Sequence, residues 1–184
     1  MKIDSLARAA LVAALIAPSA SADPTPAKLA DVELQILAHI HRVNQLEIGV
    51  GRLAEKKATT PAIKAYGGML MKDHSANDRD VIALAKRHGQ TIPKELATNE
   101  SDRTQMKDDD DMADKLKAEK GADFDRDFLA MAVMGHEREL GRIDTSIGQS
   151  QAADLQTLLA ATKPMLQHHL DAARDLQQTQ AAAP

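Results

Sequence analysis

Three histidines and one glutamate occupy equivalent positions in four helical segments of this 184-residue chain. When the sequence is read with helical periodicity, Glu47, His74, His136 and His169 each lie near the centre of an otherwise apolar face. An ionisable side chain in a protein core is costly unless it is hydrogen-bonded, paired with an opposite charge or bound to a metal. Four such side chains on facing helices therefore predict a shared site.

The chemistry of these side chains indicates which cation they would bind. Three imidazoles and a carboxylate are ligands of borderline softness, which suit Zn, Cu, Fe or Ni better than Ca or Mg. Polar residues that can orient the ligands lie within a helical turn of them: Asn44, Asp73, Asn77, Asp78 and Glu139. The alternative is a polar network without metal, with Glu47 hydrogen-bonded to His74, that fixes the register of the helices.

The height of each of the four side chains, meaning its position along the axis of the bundle, can be estimated by counting residues to the nearest turn between helices. Glu47 lies about 13 residues before the first turn and His74 about 14 after it, so they should face each other in an antiparallel hairpin. His136 lies about 13 residues before the second turn and His169 about 19 after it, a mismatch of roughly 9 Å at the helical rise. The count therefore places three of the four side chains at one level.

Two features bear on where His169 lies. Pro164 falls one turn before it, and a kink there, or a longer second turn, would bring His169 back to the level of the other ligands. Otherwise His169 would pair at a separate level with Asp125, which shares the helical face of His136. Both placements remain open at this point.

The elements that carry these residues are read from apolar periodicity and from stop signals. The pattern predicts four long helices, over residues 27–58, 61–88, 123–147 and 152–178. Thr60 can cap the second helix, Pro61 suits its first turn, and Gly89 provides its C-terminal stop. Residues 148–150 are expected to form the turn between the last two helices.

A long connection, residues 90–121, separates the second predicted helix from the third. It contains the acidic run Asp108–Asp111, in which four adjacent carboxylates point in different directions around a helix. We interpret that run as a solvated helix start, where negative charge is favourable, rather than as a cation site.

The composition sets the fold class. The chain has no Cys, one Tyr, two Phe and 43% hydrophobic residues, and it is rich in helix formers and poor in the residues that favour sheets. These features predict an all-α fold, an antiparallel four-helix bundle formed by one domain over residues 23–184. The absence of Cys excludes disulfides, and the net charge of −4 does not favour nucleic acid or an anionic membrane as a partner.

The N-terminus has the features of a cleaved secretory signal peptide over residues 1–22. The basic residues Lys2 and Arg8 precede a short apolar run, Ala9–Ala17. Residues Ala20–Ala22 then provide the small side chains of a cleavage site. The apolar run is shorter than the ~20 residues that a spanning helix needs. The chain is therefore expected in the periplasm or outside the cell.

We predict that cleavage follows Ala22, because the Ala-x-Ala pattern ends there. N-terminal sequencing of the protein from a periplasmic extract should begin at Asp23. Recovery of the chain from soluble cytoplasm with Met1 still in place would contradict the prediction.

Several short motifs resemble those of a known family. They are Glu47 in LEIGVGRLA, Asp73 and His74 in MLMKDHSAN, Asp125 and Phe128 in FDRDFL, His136 in AVMGHERE, and Pro164 and His169 in KPMLQHHL. In this order they are similar to the ferritin-like domain-of-unknown-function 4142 family, exported bacterial proteins that are often labelled predicted outer-membrane proteins. The resemblance covers residues 31–176 and implies a ferritin-like four-helix bundle with a secretory signal, but no activity.

The sequence disfavours several classes of function. No His has a Glu three residues before it, so the paired Glu-x-x-His motifs of di-iron bundles are missing. There is no C-x-x-C-H for covalent haem, and bulky residues that could enclose a porphyrin are few. No G-x-S-x-G, glycine-rich phosphate loop or H-E-x-x-H indicates a hydrolase.

Two functions remain, and neither needs enzymatic activity. The first is an exported bundle that binds or buffers Zn, Cu, Fe or Ni through Glu47, His74, His136 and His169, with Asp73 and Asp125 close to the ligands. The second is an envelope-interaction or stress-response protein, whose partner is an envelope component and whose inward polar residues are structural.

Overall fold

The computed structural model of the chain describes residues 26–95, 97 and 99–182. This part of the chain forms five α-helices and contains no strand: α1 (Asp31–Lys57), α2 (Pro61–Arg87), α3 (Glu100–Ala118), α4 (Gly121–Gln149) and α5 (Ala153–Ala181). The predicted all-α class is confirmed. The predicted signal segment, residues 1–22, lies outside the described residues. Among the helices described, none is both long enough and apolar enough to cross a membrane.

The ends of α2 follow the signals in the sequence. The Oγ1 atom of Thr60 accepts a hydrogen bond from the backbone N–H of Ile63 at 3.2 Å, and Pro61 occupies the first helical position. After the helix, Gly89 adopts a positive φ of 66°, which glycine tolerates without steric cost. The predicted cap and stop are therefore both present.

The long connection contains a complete helix, α3. It begins at Glu100 because the side chain of Asn99 accepts a hydrogen bond from the backbone N–H of Asp102 at 2.9 Å. The predicted helix start at the acidic run was therefore wrong. Asp108–Asp111 lies inside α3, about two to three turns after its real start.

The acidic run is also less solvated than expected. Asp109 is buried and accepts hydrogen bonds from Arg42 of α1 at 2.7 Å and from Arg138 of α4 at 3.0 Å. Hydrogen bonds between charged groups are roughly twice as strong as neutral ones, so these pairs hold α3 against α1 and α4.

A close approach of α1 and α2 fixes the register of that helix pair. A Cβ atom placed on Gly51 would lie 2.6 Å from the carbonyl oxygen of Gly67, so the two backbones touch at this point. Two turns further along each helix, in opposite directions, lie Asn44 and His74. The glycine contact therefore sets Asn44 opposite His74.

The apolar residues of the core form two clusters that lie at different levels of the helices. The first includes Val50, Tyr66, Leu70, Phe124, Phe128 and Ala173. The second includes Leu37, Val81, Leu84, Ile143, Leu155 and Leu159. On α1, α2 and α4, the buried polar residues of the predicted site lie between the members of the two clusters. The site is therefore a polar layer with apolar packing above and below it.

The turn between α4 and α5 is fixed by a buried carboxylate from α1. Glu33 Oε1 accepts hydrogen bonds from Ser150 Oγ at 3.0 Å and from the backbone N–H groups of Gln151 and Ala152 at 2.9 and 2.8 Å. The turn comprises residues 150–152, and α4 continues through Gln149. The predicted turn at 148–150 was therefore placed two residues too early.

Candidate metal centre

Three histidines from three helices converge in the polar layer. His74 of α2, His136 of α4 and His169 of α5 each contribute one ring nitrogen, and these three nitrogens all lie within 4.8 Å of one another. The side chains are at most 1% exposed. His136 Nε2 and His169 Nδ1 are 3.3 Å apart. We call His74, His136 and His169 the histidine cluster.

The structure resolves the height of His169, which counting left open. It lies beside His136, and the reason is that residues 150–152 are not helical. His136 lies 13 residues before the end of α4, and His169 lies 16 residues after the start of α5. The mismatch between the two histidines is therefore three residues, or about 4.5 Å at the helical rise.

Asp125 is not at the histidine cluster. It is fully buried and accepts hydrogen bonds from the backbone N–H of Thr59 at 3.1 Å and from the Thr59 hydroxyl. The alternative placement, in which Asp125 pairs with His169 at a separate level, was wrong, because Asp125 instead fixes the turn between α1 and α2.

A directional chain of hydrogen bonds sets the proton of His74. The Thr162 hydroxyl donates to the carbonyl of Leu158 at 2.9 Å, so its oxygen accepts from Asn77 Nδ2 at 2.7 Å. The Asn77 oxygen in turn accepts from Asn44 Nδ2 at 2.9 Å, and the Asn44 oxygen accepts from His74 Nδ1 at 2.8 Å. Because Asn44 can only accept there, His74 carries its proton on Nδ1 and its Nε2 is a free lone pair.

The other two histidines are oriented in the same way. His136 Nδ1 donates to the carbonyl of Ala132 at 2.7 Å, and His169 Nε2 donates to Asp73 Oδ2 at 3.2 Å. A carbonyl and a carboxylate accept only, so the remaining nitrogen of each neutral ring is a lone pair. Those two nitrogens, His136 Nε2 and His169 Nδ1, are the pair that face each other.

Each ring of the histidine cluster therefore directs an unprotonated nitrogen at a common point. Two lone pairs 3.3 Å apart cannot hydrogen-bond to each other without a proton or a cation between them. Zn–N bonds of 2.0–2.1 Å in a tetrahedral site place neighbouring nitrogens about 3.3 Å apart, which matches this separation. Ligating histidines commonly donate their other N–H to a carbonyl or carboxylate, as these do.

Burial favours the neutral form of His74 and His169. Desolvation lowers the pKa of His74 well below its ordinary value, and the neighbouring imidazoles lower it further. Desolvation also lowers the pKa of His169 to about 4, although the Asp73 carboxylate acts in the opposite direction. Neutral imidazole is the form that binds a metal, so these two side chains are ready for a cation at neutral pH.

Glu47 lies apart from the three converging nitrogens. It is 5% exposed, its Oε2 has no hydrogen-bond partner, and burial raises the pKa of its carboxyl group. Asn44, rather than Glu47, is the α1 residue that hydrogen-bonds to His74. The hydrogen bond from Glu47 to His74 in the network interpretation is also missing, since His74 Nε2 has no partner either.

Two of the predicted orienting residues serve other histidines. Asp78 binds His41 at 2.6 Å, and Glu139 binds His39 at 2.7 Å. His39 also binds Glu95 at 2.7 Å. Burial lowers the pKa of His39, but the hydrogen bonds to the two glutamates outweigh it and raise that pKa to about 8.

Sequence reasoning missed the role of His39. His39 lies in α1. Its partners lie 56 and 100 residues away, and no local pattern connects residues at such separations. The same holds for Glu33, because the three donors to its Oε1 atom lie more than a hundred residues further along the chain.

The comparison with protein families agrees with the motifs. The sequence matches the family described as a domain of unknown function, DUF4142, over residues 18–176. The chain belongs to that family. No curated protein and no solved structure gives a significant match. The DUF4142 description states no activity, so a function has to be argued from the geometry of the site.

Proposed function

We propose that this chain is an exported helical protein that binds or buffers one transition metal ion through His74, His136 and His169. The observation that supports this most directly is the set of three unprotonated ring nitrogens that lie within 4.8 Å of one another. Each ring is held in that state by an acceptor on its opposite nitrogen. Three neutral imidazoles suit Zn, Cu, Fe or Ni.

The structural interpretation explains fewer of these contacts. A polar network that served only to fix packing would satisfy its buried atoms, because an unpaired buried polar group costs about 1–3 kcal/mol. Here His74 Nε2 has no partner, and His136 and His169 present two acceptors to each other. A bound cation would satisfy all three nitrogens at once.

The proposal includes the architecture around the site. α1 packs on α2 and α4 packs on α5, and the two pairs meet through α2 with α5 and α1 with α4. This pattern supports an antiparallel four-helix bundle of the ferritin-like kind, with α3 in the crossing connection. The prediction that Glu47 is a fourth ligand stays a prediction.

Native mass spectrometry of the chain without an affinity tag tests the proposal. After exposure to Zn²⁺, Cu²⁺, Ni²⁺ or Fe²⁺ and removal of the excess, at least one of these ions should remain bound with one ion per chain. His136→Ala should lose that ion, because it removes a nitrogen from the centre of the cluster. His168→Ala is the matched control, since His168 is adjacent in sequence to a cluster member but exposed.

The result that would contradict metal binding is equally direct. If the wild type retains none of the four ions, or if His168→Ala loses the ion as completely as His136→Ala, the histidine cluster is structural. The interpretation as an envelope-interaction protein would then take its place.

A further inference from the structure

A cleft of about 200 Å³ lies between α1, α3 and α4. Its lining includes Glu47, Asp108 and three methionines, Met112, Met131 and Met134. Asp108 and Met134 are exposed, whereas Glu47 is 5% exposed. The cleft therefore runs from a surface rim that carries a carboxylate to a buried carboxylate at its inner end.

Glu47 is the feature of this cleft that requires an explanation. Its Oε2 atom is buried and has no hydrogen-bond partner, an arrangement that costs free energy unless something binds there. Gly135 also lines the cleft, and a Cβ atom placed on it would lie 3.7 Å from Glu47 Oε1. The next residue in α4 is His136, a member of the histidine cluster. Glu47 thus lies at the inner end of the cleft, beside the turn of α4 that carries His136.

We propose that the cleft is the route by which a transition metal cation enters, and that Glu47 receives the cation there and passes it to the histidine cluster. This inference rests on the proposed function. Carboxylates at the rim and the inner end attract a cation, and methionine thioethers are soft ligands that can hold it weakly on the way. Because the cleft lining would bind the ion more weakly than the three imidazoles of the histidine cluster, the difference in affinity would direct the ion inward.

A second groove lies between α2 and α5. It measures about 260 Å³ and is lined by Asp73, Asp80 and Met165 among others. Asp73 accepts a hydrogen bond from His169, a member of the histidine cluster, and Asp80 is exposed. Because neither carboxylate is both buried and without a partner, the cleft at Glu47 is the better supported route, and the groove serves as an internal comparison.

The test is the rate at which the metal-free chain takes up Co²⁺, followed by stopped-flow visible absorbance of the bound ion. Glu47→Gln keeps the size of the side chain and removes its charge. We expect it to slow uptake by about tenfold, within the range that local charge contributes to association rates. Gly135→Leu should slow uptake as well, because its side chain would occupy the cleft. Asp80→Asn in the α2–α5 groove should have no effect.

Each other outcome overturns the entry route in a recognisable way. Slower uptake in Asp80→Asn with normal uptake in Glu47→Gln would assign entry to the groove. Loss of final absorbance in Glu47→Gln, with the fold confirmed by circular dichroism, would make Glu47 a resident ligand instead. Equal rates in all variants would reject the route but keep the metal site, whereas a wild type that binds no Co²⁺ in this assay and no metal by mass spectrometry would reject both.

Discussion

Metal should raise the melting temperature of the wild-type chain by about 5 to 10 °C, because an ion that binds only the folded state adds about 2.7 kcal/mol at a hundredfold excess over Kd. The histidine cluster exists only in the folded chain, since its members come from three helices. His74→Ala, His136→Ala and His169→Ala should each abolish the rise. Differential scanning calorimetry with and without Zn²⁺, Cu²⁺, Ni²⁺ or Fe²⁺ measures it.

The informative quantity is the difference that metal makes within each variant. A histidine-to-alanine change in the core can alter the stability of the metal-free chain in either direction, because it removes a polar group and leaves space. His168→Ala should keep the full metal-dependent rise, since that side chain is exposed. A rise that survives all three substitutions in the cluster would place the ion elsewhere.

The helices could be predicted from the sequence because their signals are local. Thr60 and Pro61 mark the start of α2, and Ile63, which donates to the Thr60 side chain, lies only three residues after Thr60. Gly89 marks the end of the helix. Apolar periodicity likewise identified the faces of His74, His136 and His169. Buried faces of amphipathic helices leave a trace in the sequence that needs no knowledge of the partner.

Contacts between helices could not be predicted with the same precision. The position opposite His74 depends on where the backbones of α1 and α2 touch, and that contact is made by Gly51 and Gly67. A shift of one turn exchanges Glu47 for Asn44 as the residue that faces His74. A position counted from the connection between two helices is uncertain by about one helical turn, because the ends of helices fray and connections vary in length.

The start of α3 and the height of His169 show two further limits. The side chain of Asn99 caps α3, and this cap outweighs the charge pattern of the later acidic run. The height of His169 depends on a non-helical turn held by Glu33, which lies in α1. Because Glu33 is distant in sequence from the turn between α4 and α5, the residues around that turn contain no local pattern that predicts its conformation.

His169 and His74 should make the metal-free chain less stable in weak acid. In the unfolded chain a histidine has a pKa near 6.5, whereas in the folded chain the pKa of His169 is about 4 and that of His74 is also well below 6.5. At these two side chains the unfolded state therefore binds more protons than the folded state below pH 6.5, and their contribution to stability falls as the pH falls. Between pH 7 and pH 5 His169 should remove about 2 kcal/mol from the free energy of unfolding, and His74 acts in the same direction.

His39 acts in the opposite sense over the same range. Its folded pKa is raised to about 8, so its contribution is complete below pH 6.5 and is lost as the pH rises through 8. From pH 7 to pH 5 it should add about 1 kcal/mol, which offsets about half of the loss caused by His169. The pKa values of His88 and of the buried Glu47 carboxyl group are also raised, so these groups act in the same sense as His39. The loss caused by a buried histidine is therefore measured by comparison with a variant that lacks it.

Urea denaturation of the metal-free chain at pH 7, 6 and 5 measures this loss. His169→Leu should reduce it by about 2 kcal/mol, since leucine binds no proton in either state and the partner of His169, Asp73, can be solvated because its side chain is 32% exposed. His168→Ala should keep the full dependence on pH. A His169→Leu variant with the wild-type slope would mean that His169 takes up a proton in the folded chain. In that case the nitrogens of the cluster would not be held as free lone pairs, and the argument for a metal ligand set would lose its physical basis.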